Sequence, residues 1–214
     1  MKVSKKIREK RINDIQKLYN LIIADNQNAK EELYKLLKKE IKDNTNNAVK
    51  ESINFIEEVL TKNLSTTLSE LKKIYSKSFD SKKVLNLQEI FYDADGKTFK
   101  ERIENWFKEI LHENPSQDEI LILFYHLGLI IDTESFKIIS YSMQKKLNTE
   151  YVEIIAGEGC DTCNEYCDGE VHLESEIELP PYHPNCLCET IYFEKKKREN
   201  KVRIQEENYS KFRF

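Results

Sequence analysis

The sequence predicts an α+β protein that is mostly α: an extended helical N-terminal region, then a small zinc-stapled β-rich C-terminal module, then a charged helical tail. Three observations carry this expectation. Apolar residues recur at helical spacing through the first two-thirds of the chain. Glycine and proline are absent from the first 80 residues, so little stops the helices there from being long. All five cysteines fall between positions 160 and 188, among short β-branched and aromatic runs.

The helices follow in order. Ile12, Ile15, Leu18, Tyr19 and Ile22 make one apolar stripe, and Leu33, Leu36, Leu37 and Ile41 a second. Val49, Ile53, Ile56 and Leu60 make a third, and Leu64, Leu68, Leu71 and Tyr75 a fourth. Polar stretches rich in Asn and Asp at 25–28 and 43–47 read as breaks between the early stripes. Stripes at this spacing are core or partner-packing faces, so these helices pack as a hairpin or lie on another subunit. Asp93-Ala94-Asp95-Gly96 reads as a turn. It fails as a calcium loop, because Phe91 and Arg102 fall where the terminal ligands belong. Residues 98–111 run helical, with Ile103, Trp106, Phe107 and Ile110 on one face, and Asn114-Pro115 ends the run. Ser116 with Glu119 is a capping box that opens the next helix. A further helix carries Phe136, Ile139, Met143 and Leu147. The most apolar run, 120–131, is too short to span a bilayer and contains Tyr125, His126 and Gly128, so it reads as a buried helix.

The pattern changes at residue 151. Residues 151–156 are β-branched and aromatic, Val171 and Leu173 alternate with polar residues, and Leu187, Ile191 and Phe193 alternate with Cys186, Cys188 and Tyr192. These read as two or three short strands built around the cysteines. The expected organisation is a helical docking or oligomerisation region at 1–85, a second unit at 86–193 with the cysteine/histidine module at 151–193, and a charged tail at 194–214.

Composition limits the function classes. Apolar residues are 39% and charged residues 34%, which suits long exposed helices or an oligomer surface. A net charge of -4 argues against a whole-protein electrostatic grip on nucleic acid. Basic clusters at 2–11 and 195–198 are read as solvated helix ends. A charged N-terminus with no apolar run behind it is not a signal peptide. An odd cysteine count without an export signal favours thiolate–metal bonding over disulfides.

The metal ligands expected are Cys160, Cys163, His183, Cys186 and Cys188, holding a structural zinc. Cys160-Asp161-Thr162-Cys163 puts two thiolates into one tight turn, with Gly157 and Gly159 at its approach and Gly169 at its exit. His183-Pro184-Asn185-Cys186 makes a second turn. More candidates exist than the four positions of tetrahedral zinc. In a fully extended strand Cys186 and Cys188 would sit about 6–7 Å apart, wide for one ion unless the strand bends. One of them could then be a packing thiol, Cys167 a small buried residue, and His172 a surface residue. A catalytic zinc would need an open position and a base such as Glu158, Glu165 or Glu170. Plentiful soft ligands and the lack of a His-Glu-x-x-His helix argue against one, and His112 and His126 lie on helical stretches.

The order Cys160-x2-Cys163, Asp168-Gly169, Pro180-Pro181-x-His183-Pro184-Asn185-Cys186-x-Cys188 resembles the C-terminal signature of tailed-phage minor head proteins, the phage Mu F-like and SPP1 head-morphogenesis families. Asp95-Gly96-Lys97 followed by Arg102-Ile103 resembles the start of that domain, and the resemblance covers roughly residues 90–193. The chain departs from the family in carrying Leu187 where an arginine is usual, in lacking an Arg-Thr-Glu segment (the nearest is Asn148-Thr149-Glu150), and in one extra residue after Cys163. The resemblance implies a structural, non-enzymatic virion protein near the portal or inside the capsid. Such a protein acts in head assembly and in DNA packaging or ejection. Its partners would be portal or major capsid protein, with phage DNA as a further contact, and neither membrane nor small-molecule substrate. It would reside in the virion head, and in the host cytoplasm during assembly. The competing readings are a zinc-dependent nucleic-acid-binding regulator, resting on the basic runs, and a zinc hydrolase or nuclease toxin.

Overall fold

The computed structural model describes residues 4–85, 96–156, 161–165, 167, 169–180 and 186–193. Four long helices come first: α1 (Lys5–Asp43), α2 (Thr45–Ile74), α3 (Phe99–Ile110) and α4 (Gln117–Lys146). A three-stranded antiparallel sheet follows, built from β1 (Tyr151–Ile155), β2 (His172–Leu173) and β3 (Glu189–Phe193) in the order β2-β1-β3. A helical turn, α5 (Asp161–Asn164), lies between β1 and β2. The expected mostly-α α+β class is the observed one.

α1 and α2 form an antiparallel hairpin whose corner is Asn44. Its side chain caps α2 by accepting from the backbone N–H groups of Asn46 (2.9 Å) and Asn47 (3.2 Å). The break expected at 43–47 is therefore real. The break expected at 25–28 is not, because α1 continues through it. Asn26 is fully buried there and bonds across the bundle, so its polarity serves tertiary contacts instead of a turn. The third and fourth stripes likewise join into the single helix α2, and the two helices expected after Ser116 join into α4. The capping box expected at Ser116 with Glu119 is formed, and Thr98 with Glu101 makes a second at the start of α3.

α4 packs in the groove of the hairpin, and α3 covers α4 and α2. One apolar core fills the hairpin-corner end of the bundle, with Leu33, Leu37, Ile56, Ile103, Leu123 and Leu127 among its members. A second core fills the other end, where Ile15, Tyr19, Leu71, Tyr75 and Ile139 meet Val152, Ile191 and Phe193 of the sheet. A buried polar layer lies between them. Asn63 Nδ2 donates to Asn26 Oδ1 (2.7 Å) and Ser135 Oγ (2.8 Å), Asn26 Nδ2 donates to Asp132 (3.1 Å), and Lys30 pairs with Asp132. Polar side chains that meet these partners only when three helices share one register favour that register over slipped alternatives.

β3 lies at an edge of the sheet, and two tyrosines close that edge. Tyr19 of α1 accepts from the Thr190 N–H (3.3 Å), and Tyr75 of α2 donates to the Tyr192 carbonyl (2.8 Å). Thr190 and Tyr192 alternate along β3, so both point their backbone groups away from β1 and need these partners.

Candidate metal centre

The sheet and the helices hold the thiols. Cys163 sits on the α5 turn, and Cys186 and Cys188 lie on the segment entering β3. The Sγ atoms of Cys163 and Cys186 are 3.8 Å apart, and those of all three cysteines lie within 4.8 Å of one another. Exposure of the three residues is 0%, 4% and 3%, so bulk water is excluded from the cluster. Ile154, Ala156, Ile177 and Leu179 pack around it, with Cys167 beside them.

The wide spacing expected for an extended Cys186–Cys188 segment does not occur. Ladder pairing of β3 begins only at Glu189, so residues 186–188 are not held to a pleat and both thiols turn toward Cys163. Of the ligands expected from sequence, Cys163, Cys186 and Cys188 are brought together. Cys160 and His183 lie outside the described residues, as do Glu158, Gly157 and Gly159. Cys167 packs against the cluster without joining the group of three. Gly169 has φ +73°, the backbone freedom expected at the knuckle's exit.

The trio is the one group of three or more converging His, Cys, Asp or Glu donors among the described residues. Glu165 and Glu170 are exposed, and His172 lies half-buried in β2. His112 pairs with Glu119 at the start of α4 and holds that carboxyl below its usual range, while His126 stacks on Trp106 with ring centroids 4.6 Å apart.

Three buried thiols at this separation could hold a metal ion. Two bonds of about 2.3 Å from zinc to sulfur at a tetrahedral angle place their sulfurs about 3.8 Å apart. The Cys163–Cys186 separation matches that value, and the soft donor set suits zinc. Cys163, Cys186 and Cys188 would hold the ion, which would cross-link the α5 turn to the root of β3 and add folding free energy to a small sheet.

One contact that sequence reasoning missed ties this module to the helical body. Arg8 of α1 donates Nε to Glu153 Oε2 of β1 (2.8 Å), pairs through Nη2 with the other carboxylate oxygen, and donates to the Gly169 carbonyl (3.0 Å). The Glu153 hydrogen bond raises the Arg8 pKa above its ordinary value. The signal was an acidic residue in the middle of the apolar strand Tyr151–Ile155, because a buried carboxylate requires a cation. Arg102, one of the residues behind the family resemblance, is also spoken for: it is buried and pairs with Glu134, which Lys137 contacts at 2.9 Å.

Comparisons with family models, with curated proteins and with solved structures find no match to this chain. Among the described residues no helix is long and apolar enough to cross a membrane.

Proposed function

We propose that this chain is a minor head protein of a tailed phage or prophage, with a structural zinc site and no catalytic role. The supporting observation is a coincidence of order and place. The cysteines of the Cys-x2-Cys … His-Pro-Asn-Cys-x-Cys order include three that converge in one buried cluster at the foot of a small sheet. Burial of the trio leaves no described approach for a substrate, which favours a structural ion over a catalytic one. Zinc is held by Cys163, Cys186 and Cys188, with Cys160 or His183 supplying the remaining position.

The partner is portal or major capsid protein, met during head assembly and DNA packaging or ejection. The surface offered to it is the strip Leu121, Ile122 and Tyr125, which is 43%, 50% and 63% exposed on α4. The test is purification of the tagged chain from an induced lysogen, with sedimentation of heads and metal analysis of the purified chain. Co-sedimentation with heads or portal and about one zinc per chain are expected. A chain that leaves with nucleic acid alone, through a steeply salt-dependent contact, would instead make it the zinc-dependent regulator.

A further inference from the structure

A cavity of about 230 Å³ lies between α1 and α2, and no residue of the sheet or of the thiol cluster lines it. Sites for drug-sized ligands run to about 300–1,000 Å³, so this one takes a single alkyl chain. Ala29 of α1 and Phe55 and Val59 of α2 give it apolar walls, and Phe55 and Val59 pack on the core beneath. Asp25, Glu32 and Glu58 place three carboxylates around it against one ammonium, that of Lys62. Lys62 is committed to Asp25 at 3.3 Å. Glu32 and Glu58 are exposed and have no ion-pair partner among the described residues.

Asn63 also lines the cavity and is 1% exposed. Its orientation follows from the polar layer. The Asp132 carboxylate only accepts, so Asn26 turns Nδ2 to it and leaves Oδ1 facing Asn63. Asn63 must then donate, and its Nδ2 does so to Asn26 Oδ1 (2.7 Å) and Ser135 Oγ (2.8 Å). Asn63 Oδ1 lies on the other side of the planar amide, turned from the polar layer to the cavity, and has no hydrogen-bond partner. A buried acceptor left without a donor is costly and uncommon. The buried group left over here is thus an acceptor, and the two unpaired charges on the rim are negative. That set fits an N–H donor carrying positive charge on an alkyl stem. It does not fit a metal ion, because among the described residues only the thiols converge as ligands do.

We propose that this cavity binds a lysine side chain presented by a partner protein. Its stem lies along Phe55 and Val59, its ammonium donates to Asn63 Oδ1, and Glu32 and Glu58 supply the counter-charge. A neighbouring depression on α2 shares Glu58 and Lys62 with the cavity and adds Glu51 and Glu57, the latter paired with Lys100. The acidic surface therefore continues past the cavity. Basic residues flanking a protein-borne lysine meet it, and a free amine does not reach it. This inference does not depend on the metal centre or on the virion reading.

Titration of the isotope-labelled full-length protein, followed by NMR, tests it. The probes are a short peptide of alternating lysine and glycine, the same peptide acetylated at every Nζ, and n-butylammonium. The lysine peptide should shift the Asn63 side-chain amide and the Ala29 and Val59 methyls, and the acetylated peptide should not. In Glu32→Gln/Glu58→Gln the dissociation constant should rise about threefold to tenfold, the effect of losing two exposed ion pairs. Both side chains are exposed, so the variant keeps the fold. Wild type at about 0.5 M salt should weaken likewise. n-Butylammonium should shift the same signals with an affinity about threefold or more below that of the peptide, since it forgoes the flanking charges. Equal affinity for n-butylammonium would overturn the protein partner and make this a small-amine site. Shifts confined to other residues, binding indifferent to acetylation, or an affinity unmoved by the double substitution would overturn the proposal.

Discussion

Replacing Cys163 by alanine removes the donor that, among the described residues, joins the α5 turn to the segment entering β3. The separation of 3.8 Å between Cys163 and Cys186, with Cys188 inside the same 4.8 Å group, brings three donors close to the spacing that an ion requires. A preformed site binds tightly, and an ion present at about a thousand times its dissociation constant stabilises the fold by about 4 kcal/mol. For a chain of this size each kcal/mol moves Tm by about 2–4 °C, so a strong chelator should lower the wild-type melt by about 8–16 °C. Cys163→Ala should begin at that lowered Tm, carry no metal after purification and ignore the chelator. Cys167→Ala is the control. It lies beside the trio, so metal content should stay near one per chain and Tm should shift by only the few degrees that a small cavity brings. Elemental analysis with calorimetric melts on the three proteins decides the matter. A wild-type melt unmoved by chelator, or a Cys163→Ala protein with a full complement of zinc, would refute the assignment.

Three further outcomes follow from the packing. Arg8→Ala should destabilise the protein by about 2–3 kcal/mol by leaving Glu153 without its cation, toward the lower end for a buried pair because the Arg8 side chain is 39% exposed. A double-mutant cycle with Glu153→Gln in urea should recover most of that loss, and simple additivity would mean the pair is not coupled. Asn63→Ala removes two buried hydrogen bonds and should lower stability by about 2–4 kcal/mol in the same titration, whereas a change under about 0.5 kcal/mol would show that the polar layer contributes nothing net. Burial pushes the Tyr19 and Tyr192 hydroxyls well above the usual phenol pKa, with Glu174 adding to the shift at Tyr192. A pKa raised on folding gives stability that is complete below about pH 10, where free tyrosine titrates, and is lost as pH rises beyond it. Urea midpoints should therefore fall from pH 9 to pH 11, and less steeply in Tyr19→Phe.

Local signals carried much of this fold. The four apolar stripes, the capping box at Ser116 and the switch to β-branched residues at 151 depend on spacing within a few residues; the stripes fall two by two in α1 and α2, and the other two signals mark the starts of α4 and β1. The exclusive clustering of cysteines likewise pointed to the trio that the fold brings together. Asn26 shows where such reading stops. A polar residue among Asp and Asn looks like a helix break until its partners Asn63 and Ser135, which lie 37 and 109 residues away, are known. The same holds for Arg8 and Glu153, 145 residues apart.

Sequence alone determined the helical content, the start of α4 and the residue types able to bind a soft metal, because those follow from backbone propensity, capping chemistry and the donor atoms themselves. Tertiary structure decided which polar residues are buried, that both Cys186 and Cys188 turn toward Cys163, and that tyrosines from two helices close the β3 edge. Those outcomes rest on long-range register. Desolvating an amide, a carboxylate or a strand edge is tolerable only where a partner from a distant segment arrives at hydrogen-bonding distance, and spacing along the chain does not encode that arrival.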